Sequence, residues 1–138
     1  MNSHGQLLTV LSRSDPDRIK AFAVFLIEQI GEIKVIESRT GFVILPMLDT
    51  AAGTAFHLGE VFMSEAHIRN GELEGYGLRC GRDLEASMAM ALVDLAIRRD
   101  IEKPACIAFC AKEATAQASE DDSTLRQIEA TRINMETF

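Results

Sequence analysis

Cysteine is scarce in this sequence and is not clustered. The chain has three cysteines among 138 residues, and their spacing matches neither a disulfide framework nor a zinc site. It has no apolar run of the roughly 18 residues that a membrane-spanning helix needs, and it does not open with the basic and apolar regions of an export signal. These absences argue against a disulfide-stabilised secreted scaffold and a membrane protein, and they indicate a reducing cytoplasm.

Positive charge is also scarce. Lysine and arginine together number 14 against 21 acidic residues, which gives a net charge of −7 and a pI of about 4.9. An acidic chain without a basic cluster lacks the surface that attracts nucleic acid. The sequence also contains no glycine-rich phosphate loop, nucleophile elbow or metal-binding histidine pair. We therefore expect no nucleic-acid partner and no metal site.

The chain does have the composition of one globular domain. Apolar residues make up 47% and charged residues 25%, and a domain of this length buries roughly two-thirds of its unfolded surface. No repeat or linker-like stretch divides it, so we expect a single domain over residues 1–138. The predicted order is helix, four strands, helix and a terminal helical region. It indicates an α+β fold, in which helices pack on one face of an antiparallel sheet of about four strands, with a carboxyl-terminal helical region.

Short motifs mark several element boundaries. Ser14-Asp15-Pro16 is a helix start, with a polar cap and a proline in the first turn, and Gly31 closes that helix. A turn at residues 38–41 is expected between the first two strands, and a terminal helix from about residue 112 is expected to weaken or break at residues 120–123. The predicted strands cover residues 33–37, 42–48 and 55–69, the second of them at a sheet edge because of its proline.

The dipeptide Asn70-Gly71 is the strongest local signal in the chain. It lies between two strand-like runs and favours a two-residue type I′ turn, which fixes the register of the hairpin. On one face of the hairpin, the predicted facing pairs are Arg69 with Glu72, His67 with Glu74, Glu65 with Tyr76 and Met63 with Leu78. On the opposite face, Gly75 and Gly77 make a flat patch on which another backbone can pack closely.

The segment after this hairpin is predicted to be an unusually apolar helix. Asp83 is a good N-cap for it, and between Leu84 and Ile97 three residues are polar: Glu85, Ser87 and Asp94. A helix that is apolar on nearly every side is buried on more than one side, and a domain of this size has few places to do that alone. We therefore expect this helix to meet a partner, and a homodimer is an expectation for the isolated chain.

Arg82 and Asp83 are candidate contacts for a phosphate or for a partner carboxylate. They lie beside a helix N-terminus, where free backbone N–H groups favour anions. The alternative is that Asp83 only caps the helix and Arg82 forms an ordinary surface pair.

A second candidate site is a polar cluster on one strand face, formed by Glu60, Glu65, His67 and Glu74. Histidine beside glutamate can exchange protons near neutral pH, so an independent small enzyme would use these residues. A charge-paired, solvated sheet face explains the same residues without chemistry, and we favour it. Cys106 and Cys110 are expected to be buried as small apolar residues.

Several stretches, in order and over nearly the whole chain, resemble the PhnG family, the small subunit of the bacterial carbon–phosphorus lyase core complex. They are Val10-Leu11-Ser12-Arg13-Ser14 with Pro16, Thr40-Gly41-Phe42-Val43, Phe56-His57-Leu58-Gly59-Glu60, Gly75-Tyr76, Gly81-Arg82-Asp83 with Ala86, Ala91-Leu92 and Asp94, and Ala130-Thr131-Arg132-Ile133. The order of these segments carries the resemblance, because none of them is specific alone.

The resemblance implies a role and a set of partners. Such subunits assemble with the PhnH, PhnI and PhnJ proteins, and transiently with PhnL. The G, H and I subunits, with PhnL, support synthesis of α-D-ribose 1-methylphosphonate 5-triphosphate from ATP and methylphosphonate, with release of adenine. The resemblance implies no cofactor in this chain, because the iron–sulfur cluster belongs to the J subunit. It implies a subunit without a complete active site, in which Arg82, Asp83 and Arg132 contact substrate or a partner.

One departure from the family pattern keeps an alternative open. Ser64-Glu65 stands where similar members usually carry Thr-Arg, which reverses a charge. The alternative is a divergent paralogue that acts as a binding or regulatory module outside the lyase complex.

Overall fold

The computed structural model describes residues 4–48 and 56–136, and the side chains of residues 4–42 and 61–131. Within these ranges, three strands form one antiparallel sheet in the order β1-β2-β3. The α+β class and the carboxyl-terminal helix are as expected from the sequence. The elements are α1 (His4–Arg13), α2 (Pro16–Ile30), β1 (Lys34–Leu48), β2 (Phe56–Asn70), β3 (Leu73–Cys80), α3 (Leu84–Arg99) and α4 (Lys103–Glu136).

The described part of the sheet has three strands, where about four were expected. The predicted strands at residues 33–37 and 42–48 are the two ends of β1, which runs through residues 38–41 without a turn. The prediction of a turn there is wrong because β2 is as long as β1 and supplies a partner for each of these four residues. β1 lies at the edge of the sheet, as its proline predicted.

The β2–β3 hairpin forms, but its turn lies one residue later than expected. Asn70 pairs with Leu73, so Gly71 and Glu72 form the turn. Of these two, Gly71 alone has a positive φ, 65°, which fits a type II′ turn with glycine first and not the predicted type I′. His67 therefore faces Tyr76 and not Glu74. Because each pairing shifts by two residues, every side chain keeps its predicted face.

The glycine patch of the hairpin receives the backbone of α3. A methyl group added at Gly77 would lie 2.1 Å from the carbonyl oxygen of Ser87, and one added at Gly75 would lie 2.3 Å from that of Ala91. The close packing predicted for these glycines is confirmed. It takes place within the chain, and it buries the same face of β2 completely, at Ser64, Ala66 and Ile68.

The sheet on one side, and α1, α2 and α4 on the others, enclose α3. The burial of α3 is therefore accounted for within the chain, and its contact with a partner stays a prediction. Its small residues, mostly alanine, let neighbouring backbones approach closely enough to cover it. Ten of its residues are buried: Ala86, Ser87, Ala89, Met90, Ala91, Leu92, Val93, Asp94, Leu95 and Ala96.

The terminal helix α4 is continuous over 34 residues. The break predicted at residues 120–123 is absent, and ion pairs of Arg13 with Asp121 and of Arg126 with Asp122 stabilise this part of the helix. The first half of α4 packs on the domain through Cys106, Cys110, Glu113 and Gln117, which confirms the buried cysteines. None of the described helices is long and apolar enough to cross a membrane.

Candidate functional site

The face of the sheet that carries no helix holds a polar network across all three strands. Alternation along β2 puts Glu65 and His67 on this face, because Ser64, Ala66 and Ile68, which alternate with them, point toward α3. Glu65 accepts a hydrogen bond from the Tyr76 hydroxyl at 2.5 Å and another from Arg39 Nε at 2.9 Å. Arg39 also pairs with Glu37 at 3.3 Å. The carboxylate of Glu65 therefore joins β1 to β3.

The pKa shifts of Glu65 and Tyr76 keep Glu65 ionised and Tyr76 protonated at neutral pH. The hydrogen bond from Tyr76 and the charge of Arg39 lower the pKa of Glu65 below its usual range. Burial, and then the hydrogen bond to Glu65, raise the pKa of Tyr76 to about 12. Tyr76 is then a permanent donor and Glu65 a permanent acceptor, which suits a structural pair better than a proton-transferring one.

His67 and Glu74 form a second pair on the same face. They are diagonal neighbours in the register, and His67 Nε2 lies 3.1 Å from a carboxylate oxygen of Glu74. Within the described part of the chain, no group of three or more histidines, cysteines or carboxylates could hold a metal ion. The structure thus brings Glu65, His67 and Glu74 onto one face, where the His67 ring also meets the edge of the Tyr76 ring at 6.1 Å between centroids. The side chain of Glu60 lies outside the described residues, although its backbone pairs with Ile44.

Asp83 occupies the N-terminus of α3. Its carboxylate accepts from the backbone N–H of Ala86 at 3.1 Å and pairs with Lys20 at 2.6 Å. The hydrogen bond from Lys20, followed by the one from Ala86, lowers the pKa of Asp83. The predicted cap is confirmed, so the anion-favouring end of this helix already holds a carboxylate.

Arg82 lies on the surface beside this cap. Its guanidinium carbon is 3.9 Å from the centre of the Phe62 ring, in a cation–π contact. That contact holds Arg82 against β2, next to the point where the pairing of β2 with β3 begins, and its remaining donors can meet a partner there. Arg132 lies in α4, but its side chain is outside the described residues.

A buried arginine was missed by the sequence reasoning. Arg79 is 8% exposed and donates to the carbonyl oxygens of Leu11 and Ser14, both at 2.6 Å, and to the Ser14 hydroxyl at 2.9 Å. These acceptors lie at the end of α1, where a cation is favoured. Burial lowers the pKa of Arg79. The signal was its alternation with Gly75 and Gly77, which places Arg79 on the face that packs against the helices.

Arg79 lines a cavity of about 800 Å³ between the α1–α2 connection, β3 and α4. Arg18 and Glu113 close one wall with two hydrogen bonds, at 2.7 and 3.1 Å. The volume is within the range of small-molecule pockets. Its charged lining is balanced, with three arginines and three carboxylates: Arg13, Arg18, Arg79, Asp15, Glu113 and Glu120.

A buried carboxylate protects the β3 edge of the sheet. Asp94 in α3 is 1% exposed, accepts the backbone N–H of Tyr76 at 3.0 Å and contacts His4 at 2.6 Å. Asp94 was one of the residues that carry the family resemblance. Its role here is structural, because its oxygens are engaged by the strand edge, His4 and Arg98.

The described side chains therefore organise the fold more clearly than they organise a reaction. Each carboxylate of the sheet face is engaged by a neighbour, and no buried side-chain polar atom in the described ranges lacks a partner. The two serines that line the 800 Å³ cavity, Ser12 and Ser14, donate their hydroxyls to the backbone carbonyls of Thr9 and Leu11.

Comparison with known protein families identifies this chain's relatives. The family model described as phosphonate metabolism protein PhnG matches residues 3–138, which is essentially the whole chain. Among curated proteins, none matches the chain.

Proposed function

Because the chain belongs to the PhnG family of phosphonate metabolism proteins, we propose that it is a subunit of the carbon–phosphorus lyase core complex. In that complex it supports transfer of methylphosphonate to the ribose C1 of ATP, with release of adenine. The subunit is non-autonomous: it completes an assembly whose chemistry lies in larger subunits. The complex works in the cytoplasm, where its substrate ATP is found.

The observation that carries this proposal is the amount of apolar surface that the rest of the chain leaves uncovered. Soluble monomers rarely expose apolar side chains in groups, yet this chain does so on three elements. On α2, Val24 is 64% exposed and its neighbours Phe25 and Ile27 are also exposed. The same holds for Val35, Ile36 and Phe42 on β1, and for Leu125 and Ile128 on α4. Such surfaces suit a small subunit inside a larger assembly.

The partners in this proposal are the PhnH, PhnI and PhnJ proteins, with PhnL binding transiently. This chain carries no cofactor, ATP enters as a substrate of the complex, and the iron–sulfur cluster belongs to PhnJ. Arg82, Asp83 and Arg132 are the proposed contacts to substrate or partner. Arg82 is the strongest of the three, because its stacked guanidinium is exposed beside Phe62.

The test is size-exclusion chromatography of this chain alone and after co-expression with PhnH, PhnI and PhnJ from the same genome. We expect one large species that contains all four chains. In the presence of PhnL, methylphosphonate transfer to ATP should require this chain, measured as adenine release. A chain that elutes apart from all three proteins, or transfer that continues without it, would overturn the proposal.

A divergent paralogue outside the complex is the second candidate, and Glu65 favours it. Glu65 stands where the family resemblance leads one to expect arginine, and here it is held by Tyr76 and Arg39. The paralogue would bind a phosphonate or a nucleotide without any of the three proteins. Isothermal titration of the isolated chain with methylphosphonate and with ATP separates the two candidates, because a subunit that depends on its complex should give no heat of binding.

A further inference from the structure

The two edges of the sheet are treated differently by the fold. At the β3 edge, the outward N–H of Tyr76 donates to the buried carboxylate of Asp94. At the β1 edge, no described strand pairs with the outer side of β1. Every described side chain of β1, from Lys34 to Phe42, is exposed on either face of the sheet. An open edge of this kind can accept another strand.

The part of β1 that could accept a strand is sharply bounded. A register irregularity lies between Val35 and Glu37, and Pro46 lacks a backbone donor. Irregularities and prolines protect sheet edges from unwanted pairing, but Pro46 lies toward the far end of the strand, and a bulge can be accommodated within an antiparallel pair. Residues 34–41, which lie around Ser38, form an edge of about 25 Å at the usual rise per residue.

The charges on this edge are complementary to themselves. Glu37 and Arg39 lie on the same face of β1, on either side of Ser38. When two copies pair antiparallel about a twofold axis at Ser38, Glu37 of each copy lies opposite Arg39 of the other, and symmetry makes this contact twice. An edge protected by charge would carry like charges, which repel in such a pairing.

The same register also covers apolar side chains. Because the irregularity adds one residue at Ile36, Val35 of one copy comes opposite Thr40 of the other, with Phe42 as its diagonal neighbour. Val35 is 51% exposed and Phe42 is 55% exposed. They lie on the face that carries the helices, so each copy covers the exposed apolar residues of the other.

We propose that the isolated chain forms a twofold dimer in which the β1 edges of two copies pair antiparallel about Ser38, giving a continuous six-stranded sheet. The apolar sequence of α3 predicted a homodimer through that helix. The structure buries α3 in its own chain and leaves β1 open. The dimer does not depend on the proposed function, since it concerns the chain on its own.

Sedimentation equilibrium of the isolated chain over a range of concentrations tests the dimer. Glu37→Arg places two arginines opposite each other at both symmetric contacts, and it should weaken dimerisation about tenfold or more. Phe42→Ser should weaken it through lost apolar burial. The matched control is Glu72→Arg, which makes the same charge change in the exposed hairpin turn and should leave the dimer unchanged. Circular dichroism of each variant checks that it folds.

Hydrogen exchange at low and high protein concentration locates the interface. We expect concentration-dependent protection at alternate amides of residues 34–41, and none on α2 or in the second half of α4. A chain that stays monomeric throughout, an equal effect of Glu37→Arg and Glu72→Arg, or protection confined to the helices would overturn the proposal. Protection of β1 that appears only with PhnH, PhnI or PhnJ would also overturn it, because a partner subunit would then occupy the edge.

Discussion

The packed domain and the parts that project from it differ in what surrounds each side chain. The packed domain is made of α1, α2, α3, β3, residues 63–70 of β2, which pair with β3, and α4 up to Gln117. The projecting parts are β1 and residues 118–131 of α4. In the packed domain, Ile68 and Leu95 are fully buried and the buried Asp94 is fully engaged. In the projecting parts every described side chain is exposed. Burial within the chain thus accounts for the first region apart from the exposed apolar residues of α2, and it leaves the second without an internal reason for its apolar residues.

The first prediction compares one glycine from each region, and it has the largest expected effect. Gly77→Ala adds a methyl group 2.1 Å from the carbonyl oxygen of Ser87, so α3 must move off the sheet. We expect a loss of about 3 kcal/mol in the free energy of unfolding, the upper part of the range for overpacking. Urea denaturation followed by circular dichroism measures it.

Gly41→Ala in β1 is the matched control. A methyl group there meets nothing within 4 Å, so the free energy of unfolding should change by no more than about 0.5 kcal/mol. If the two substitutions cost the same, the distinction between packed and projecting regions would not hold.

Much of the packed domain follows from local sequence signals. Asp15 and Pro16 start α2, and Asp83 caps α3, as their positions predicted. The hairpin turn was placed one residue too early, yet the faces of β2 and β3 were right because the register shifted by two. The local sequence pattern predicts which face of a strand is buried more reliably than it predicts the register between two strands.

The errors and omissions concern neighbours that are distant in sequence. The pattern of α3 shows burial on all sides, but it cannot show that α1, α2 and α4 of the same chain supply the cover. Thr40 and Gly41 are compatible with a turn, and β1 stays straight only because β2 pairs along its whole length. Arg79 was missed because its partners are backbone carbonyls at the end of α1, which no side-chain motif reveals.

The second prediction tests whether a charged side chain in the packed domain is structural. Arg79→Met keeps much of the side-chain volume but leaves the carbonyl oxygens of Leu11 and Ser14 without their guanidinium donors. The carbonyl oxygen of Leu11 still accepts from the backbone N–H and the hydroxyl of Ser14, so the loss falls mainly on that of Ser14. Since a buried acceptor without a partner costs about 1–3 kcal/mol, we expect a loss of about 2 kcal/mol in the free energy of unfolding. Thermal and urea unfolding both report it.

Arg82→Met, three residues along the chain, is the control. This variant loses only the contact of the Arg82 guanidinium with the exposed Phe62 ring, which is worth about 0.5–1 kcal/mol. A larger cost at Arg82 than at Arg79 would show that the surface arginine, and not the buried one, holds the junction between β3 and the helices.

The third prediction concerns the exposed half of α4 and has the smallest effect on folding. Leu125 is 60% exposed and Ile128 is 58% exposed. Replacing both with glutamine keeps residues that tolerate a helix well, so the free energy of unfolding should change by no more than about 0.5 kcal/mol. Co-elution with PhnH, PhnI and PhnJ should weaken at least about tenfold, because a partner that buries two such side chains gains that much or more.

Thr131→Gln, one turn farther along, adds the same amide to an exposed position without removing apolar surface and should leave co-elution unchanged. If the double variant unfolds more easily yet still assembles, this half of α4 stabilises the chain itself, and the division between packed and projecting regions would have to be redrawn at α4.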